Sequence, residues 1–505
     1  MEEIKKALEI KDIKIENLAN DPDVLKQIII DLLKRIASQE NATKAQSEKI
    51  KILEEKIKIL EGQLSLDSHN SSKPPSTDIV KKKKTSTQRC ATSRKKGGQN
   101  GHKGNTLHKV ANPDKIVVHK TSKCTCCGHD LSEASMLGAE KRQVMDLPKI
   151  SLEVTEHQAE VKQCQKCGKI NKGQFPENVK SPIQYGPRFL AQLVYLNQYQ
   201  LIPYKRIQEL VGDIYNHEIS LGSIYNANEA CYKKLEPHEK SIKKGLEKAN
   251  VKHSDETGLK AETKGWFHVQ STKNLTFYYW SFSRGKVAMD MMGMLKDFKG
   301  ILVHDHWQSY MKYGCLHAFC NAHHIRELTF VYEEEEKEWG KAMKTLLLDA
   351  KRQVTEACDS GRTSLEESVL NELEGRYDEI ITQGLKSYDL GEQVAENNKK
   401  RGRKKQAKGK NLLDRLQKYK KETLLFIRNF EVPFDNNLAE RDIRMTKVKQ
   451  KISGGFRSRQ GVKIFCRVRS FISTLKKQKL NILDALYRVF INDELSILQF
   501  EESIL

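Results

Sequence analysis

The sequence predicts a multidomain α/β protein. Three features carry that prediction: a heptad-patterned stretch near the N-terminus, two Cys-x-x-Cys pairs ahead of a helical region, and strand-like runs after Val251, two of which end in an aspartate. At 505 residues the chain exceeds what one hydrophobic core sustains, so several packed segments are expected. These are a coiled coil over 1–66, a basic linker over 67–112, a four-cysteine module over 113–180 and a helical segment over 181–248. A mixed-sheet core over 249–455, interrupted by helices at about 318–425, and a C-terminal helical segment over 456–505 complete the chain.

In the first segment, Ile29, Leu32, Ile36, Ile50, Leu53, Ile57, Leu60 and Leu64 recur by steps of three and four in one frame. That is the seam of a coiled coil, which implies a homodimer or a higher oligomer. Gln39, Thr43 and Gln46 occupy the same frame between the two halves and weaken its middle. After Leu66 the chain turns polar and basic, through Asn70-Ser71-Ser72-Lys73-Pro74-Pro75-Ser76 to a run that includes Lys95, Lys96 and Lys103. Such a composition cannot bury a core; its default reading is a solvated linker, and its cations suit it to track phosphates.

Cys124-x-x-Cys127 and Cys164-x-x-Cys167 are each followed by glycine, Gly128 and Gly168. Four thiolates in two chelating corners are the donor set of a structural Zn2+ site, a zinc-ribbon-like β module. The 36 residues between the pairs exceed the usual ribbon spacing, and alternation in Leu152–Glu156 and Ala159–Lys162 predicts that they form a β-hairpin. Beyond Tyr185 the period becomes helical, and Ile219-Ser220-Leu221-Gly222-Ser223-Ile224-Tyr225 resembles the start of a helix-turn-helix recognition helix capped by Ser220.

Lys and Arg outnumber Asp and Glu by 88 to 66, a surplus of 22 charges that calls for a polyanionic partner. Nucleic acid fits, because each neutralised phosphate releases counterions. No apolar run approaches the roughly 20 residues that span a bilayer, and no amphipathic basic helix points to a membrane surface. The N-terminus opens on acids with no apolar signal region, so the expected compartment is the cytoplasm, with the nucleoid as associate. Eleven scattered cysteines read as thiols and metal ligands rather than disulfides.

From Val251 the period alternates. Val251–Thr257 reads as a strand carrying Asp255, Trp266–Gln270 and Thr276–Trp280 continue a meander, a helix is expected over Lys286–Asp297, and Gly300–His304 leads into Asp305. Three antiparallel strands, a crossover helix and a fourth strand are the order of a ribonuclease H-like catalytic core, in which the first and fourth strands lie side by side. Asp255 and Asp305 can then meet one divalent ion across 49 intervening residues. A two-metal site needs a third carboxylate from a later helix. Glu440 stands in a helix start after Pro433 and Asp435, although a Glu beside Arg441 on a surface helix is more often a solvated salt bridge. Glu256 follows Asp255 and points to the other face of the strand. Cys320-Asn321-Ala322-His323 invites a metal reading, but a buried helix cap is the commoner use of such a cluster.

His253-Ser254-Asp255-Glu256-Thr257-Gly258, Val432–Arg444 and Ser453-Gly454-Gly455-Phe456-Arg457-Ser458 resemble signature blocks of DDE-type transposases of the Insertion Sequence 66 family. So do the Asn70–Ser76 and Gly97–Gly104 stretches, and the likeness covers nearly the whole chain. The resemblance implies that Asp255, Asp305 and Glu440 form a DDE triad holding two Mg2+ or Mn2+ ions. It also implies strand cleavage and transfer on double-stranded DNA, both the transposon ends with their terminal inverted repeats and the target. Some members act with small accessory proteins of the same element, which adds these to the expected partners. Arg441, Arg444, Lys447, Arg457 and Arg459 make a basic rim suited to the DNA backbone. Two other readings stay open: a DNA-binding regulator that has lost catalysis, and a ribonuclease H-like nuclease that hydrolyses without joining.

Overall fold

The computed structural model describes residues 22–64, 66–67, 70–71, 107–261, 263–389 and 406–493. They divide into two compact units, one within 84–320 and 422–505, the other within 1–83 and 321–421. Helix α1, Pro22–Leu64, runs unbroken for 43 residues through the polar middle of the heptad frame. Its seam residues Ile29, Leu32, Ile36, Ile50, Leu53, Ile57, Leu60 and Leu64 are all exposed.

Residues 107–180 hold little regular structure. The hairpin expected over 152–162 is not what forms: strand β1, Val161–Gln163, pairs with β2, Ile170–Lys172, across the second Cys-x-x-Cys turn. Alternation in Leu152–Glu156 has little to bury, Val154 being 91% exposed, so the tight cysteine turn sets the ladder instead.

Four helices follow, α2 (Pro187–Val194), α3 (Tyr204–Tyr215), α4 (Leu221–Lys234) and α5 (Glu236–Glu247), with a π-helical turn at Tyr195–Tyr199. Pro187 opens α2 where its missing N–H costs nothing, and Asn216, in the left-handed region at φ 50°, ends α3. Ser220 caps α4 by accepting the Ser223 N–H at 3.0 Å, as its sequence predicts. Leu193, Val194, Ile207, Ile224 and Cys231 of this region pack with Val468, Phe471 and Leu475 of α13 (Arg459–Lys477; α6 to α12 are described below) and Leu486 of α14 (Ile482–Phe490). The helical segment and the C-terminal segment, read separately from sequence, thus share one core. Arg469, nearly fully buried, donates to the carbonyls of Gln198 and Tyr199, which the π-turn leaves outside the regular ladder.

The sheet runs in the order β5-β4-β3-β6-β7. Strands β3 (Val251–Ala261), β4 (Thr263–Ser271) and β5 (Thr276–Ser281) form an antiparallel meander. After helix α6, Lys286–Met292, strand β6 (Ile301–His304) returns parallel to β3, and β7 (Leu316–Phe319) adds parallel to β6. Helix α6 stops short of the expected Asp297 because Gly293 turns left-handed at φ 81°. One face of the sheet, with Leu259, Phe267, Val269 and Tyr278, packs on Ala439 and Ile443 of α12 (Asn437–Ser453) and on Val462 and Phe465 of α13. The other face, with Phe277 and Leu302, packs on Ile242 and Leu246 of α5 and Met289 and Met292 of α6.

The expected helical interruption is present: α7 (Asn321–Glu333), α8 (Glu338–Asp359), α9 (Glu367–Asp389), α10 (Lys408–Lys418) and α11 (Lys420–Arg428). Within the unit bounded by 321–421, Gly340 brings α8 onto α7, where a Cβ would lie 3.0 Å from the Leu328 carbonyl. Glu335 there accepts the Tyr388 hydroxyl at 2.8 Å and the Gly409 N–H at 3.0 Å.

Phe471→Ala should lower the unfolding free energy by about 3–5 kcal/mol, measured by urea titration. Because the core is shared, limited proteolysis of that variant should open sites within 187–247 as well as 459–490. Cuts confined to the C-terminal helices would mean two independent cores.

Candidate active site at the ends of the parallel strands

The parallel pairing of β3 with β6 sets Val251 against Ile301, Lys252 against Leu302 and His253 against Val303. Continued two residues further, that register brings Asp255 level with Asp305, which follows β6 directly. Asp255 shares its face with its β4 partner Val269, and Val269 lies in the core closed by Ala439 and Ile443 of α12. Glu440 stands in the first turn of that helix, its N–H donating to the Asn436 carbonyl at 3.2 Å. The acids therefore come from a strand, a strand end and a helix start, and both aspartates keep part of their surface open to solvent.

Burial first, and like charge second, governs the protonation of the two aspartates. Burial holds the Asp255 carboxyl well above the usual carboxylate range, and the charges of Glu256, Asp305 and Glu440 push it further. Asp305 is pushed up to about 7 by burial first and then by Glu256, against the opposing pull of the Trp307 N–H, 3.2 Å from its Oδ1, and of Arg284. A set of carboxylate oxygens that resists ionising alone is chemically matched to a hard divalent cation, whose charge offsets the repulsion.

Helix α12 is fixed on both sides of Glu440 by residues to which the sequence assigns no such supporting role. The buried Asn436 donates from Nδ2 to the Ser254 carbonyl at 2.8 Å, and its Oδ1 accepts from His253 Nδ1 at 2.9 Å. Burial pushes His253 down to about 4, which keeps the ring neutral for that bond. The Asn436 N–H donates to Cys320 Sγ at 3.1 Å, and the Cys320 thiol lies 3.7 Å from Glu440 Oε1. Beyond Glu440, the Asp442 carboxylate accepts from Ser271 Oγ at 2.6 Å, Thr276 Oγ1 at 3.0 Å and Lys477 Nζ at 2.7 Å. The only signal available in the sequence was that Asn436 and Asp442 flank Glu440 in one block.

Glu256 turns away from the other acids, as its place on the strand predicts. Its fully buried side chain accepts from Arg284 Nε and Nη2 at 3.0 and 2.9 Å and from the Tyr310 hydroxyl at 2.6 Å. The Arg284 guanidinium also lies 3.6 Å from the centre of the Trp307 ring.

The two cysteine pairs form matching turns. Gly128 N–H donates to the Cys124 carbonyl at 2.9 Å and Gly168 N–H to the Cys164 carbonyl at 2.8 Å, with both glycines left-handed at φ 72° and 70°. Backbone N–H groups of Cys127 and Cys126 lower the Cys124 thiol, and those of Cys167 and Lys166 lower Cys164, a setting that favours thiolate and metal. Among the described residues the two pairs do not close into one group with ligand atoms within 4.8 Å. Thiolates repel until a cation lies between them, so closure of such a module is coupled to the metal.

Of the basic rim, Arg441, Arg444, Arg457 and Arg459 are exposed, whereas Lys447 is partly buried and donates to the Gly258 carbonyl. Lys95, Lys96 and Lys103 lie outside the described residues. No helix among the described residues is long and apolar enough to cross a membrane.

An acid raised in the folded state binds a proton there that the unfolded chain has released, so stability falls as pH rises from about 4 through about 7. For Asp305 the full penalty is on the order of 4 kcal/mol at 1.36 kcal/mol per pKa unit. Without divalent ions, Asp305→Asn should therefore melt above wild type at pH 8, with most of that difference gone at pH 4.5. Added Mn2+ should raise the wild-type melting temperature at pH 8 and not that of the variant; scanning calorimetry at both pH values checks this, and a variant less stable at pH 8 would contradict it.

Residues 182–464, more than half of the chain, match the Transposase IS66 family, and residues 121–168 match the zinc-finger binding domain of transposase IS66. Residues 8–108 match a family of unknown function. No curated protein matches the chain. With its sheet, its acids and its cysteine module inside these matches, the chain belongs to the Transposase IS66 family.

Proposed function

We propose that this protein binds the terminal inverted repeats of its own insertion sequence and cuts and joins DNA strands at a two-metal site formed by Asp255, Asp305 and Glu440. The observation that carries this reading is the convergence of the three acids, brought from β3, the end of β6 and α12 to the open end of the parallel strands, where the charge of Glu440 is felt by both aspartates. The strand order β5-β4-β3-β6-β7 supports a ribonuclease H-like core. Bound Mg2+ or Mn2+, two per site, would supply stabilisation of the attacking and leaving oxygens at phosphorus. Asp255 and Asp305 would hold the cations as carboxylates, and Glu440, steadied by Asn436 and Cys320, would complete the donor set. Arg441, Arg444, Arg457 and Arg459 hold the DNA backbone so that the scissile phosphate is in line with the incoming water or 3′-hydroxyl. No side chain needs to form a covalent bond to DNA.

The cysteine turns support Zn2+ on Cys124, Cys127, Cys164 and Cys167. The exposed α1 seam supports pairing with a second copy, which suits an enzyme that must hold two DNA ends, with accessory proteins of the same element as further partners.

The test is metal-dependent nicking and joining of labelled DNA carrying the repeats, with Asp255→Asn, Asp305→Asn and Glu440→Gln beside wild type. Each variant should lose roughly a hundredfold or more in rate while keeping its DNA affinity. Binding without cutting by wild type would favour the regulator, and hydrolysis without joining would favour the nuclease. Separately, Leu53→Glu with Leu60→Glu should shift the protein to monomer in sedimentation velocity; an unchanged oligomer would remove α1 from the interface.

A further inference from the structure

Phe282 follows β5 directly and is 50% exposed, yet it is held in place. Its ring meets Trp280 edge-on at 4.6 Å, and the Arg459 guanidinium lies 4.7 Å from its centre. Trp280 in turn rests on Gly265, where an added Cβ would come within 2.5 Å of the indole. The loop beyond is pinned residue by residue. Ser283 N–H donates to Ser281 Oγ at 3.3 Å, Gly285 N–H donates to Ser283 Oγ at 3.2 Å, and the Ser283 carbonyl accepts from His268 Nε2 at 3.2 Å. Arg284 then binds Glu256, the immediate neighbour of Asp255. An outward-facing aromatic is thus fixed to the acid-bearing strand through two residues and one ion pair.

We propose that Phe282, backed by Trp280 and flanked by Arg459, is a stacking platform for a DNA base drawn out of the duplex beside the scissile phosphate. The inference rests on the cleavage reading above and extends it. A ring face next to a cation is how proteins hold an unpaired base and its backbone together, since every base has a π-face and every linkage a charge. In intact duplex those faces are covered by neighbouring pairs, so the ligand is a base that has left the stack. The exposed Arg459 against the platform, the exposed Arg457 two residues before it, and the chain's surplus of 22 positive charges select nucleic acid over an apolar protein partner. Phe282 is a positioning residue here; it holds substrate and does no chemistry.

Full-length protein is bound to a duplex carrying the terminal repeat, with Ca2+ replacing Mg2+, and thymines placed in turn at positions around the cleavage site are probed with permanganate. One thymine should become hyper-reactive with wild type and with Phe282→Trp, and lose that reactivity about tenfold with Phe282→Ala. In Mg2+, Phe282→Ala should cut intact duplex about tenfold more slowly than wild type and recover on a duplex mismatched at that position. Equal reactivity in wild type and Phe282→Ala, or equal slowing on intact and mismatched DNA, overturns the platform. Cutting by wild type with no reactive thymine also overturns it and leaves the cleavage reading standing. A reactive thymine that depends on Phe282, with no cutting in Mg2+ or Mn2+, supports the platform and overturns the cleavage reading.

Discussion

Three carboxylates facing one another repel, and in an enclosed place water does little to screen them. The structure holds them because the helix that brings Glu440 is tied to the sheet by bonds that do not involve Glu440. Asn436 is the centre of this arrangement: it joins the Ser254 carbonyl and His253 on β3 to Cys320 after β7, and its carbonyl takes the N–H of Glu440 itself. Asp442 fastens the next turn of the helix to β4, β5 and α13. Repulsion among the acids is thereby met by the bonds that tie the helix to the sheet.

What the sequence made legible follows from periodicity. Alternation located β3, β4 and β5, the apolar run before Asp305 located β6, and the heptad frame located α1, because in each case one face has a consistent environment. Strand β7 was missed: four residues, one exposed, one half-buried and two buried, leave no period to read. The shared core of α2–α5 with α13 and α14 was missed for a different reason. A helix face records that it is buried, not which distant segment buries it, and more than two hundred residues separate the partners.

The candidate site was only half legible. Strand-end aspartates announce themselves, since an acid closing an apolar run has few structural uses. Glu440 does not, because Glu beside Arg on a helix has the pattern of a surface ion pair, and its assignment leaned on family resemblance. Asn436 and Cys320 were invisible as supports: a buried Asn with two side-chain and two backbone partners differs from a surface Asn only through contacts, among them those with residues 116 and 182 positions away.

Those same contacts explain how 134 residues can stand between Asp305 and Glu440 without spoiling the site. The chain leaves the sheet at Cys320 and returns to it at Asn436, and these two residues are hydrogen-bonded to each other at 3.1 Å. An excursion whose ends already meet costs closure entropy that grows only with the logarithm of its length, about 0.6 kcal/mol per doubling. Helices α7 to α10 also make their own packing and polar contacts, as Glu335 shows by joining α9 to α10. The fold therefore permits a long helical insertion at this one point, and the bond that closes the excursion is the one that steadies the third acid.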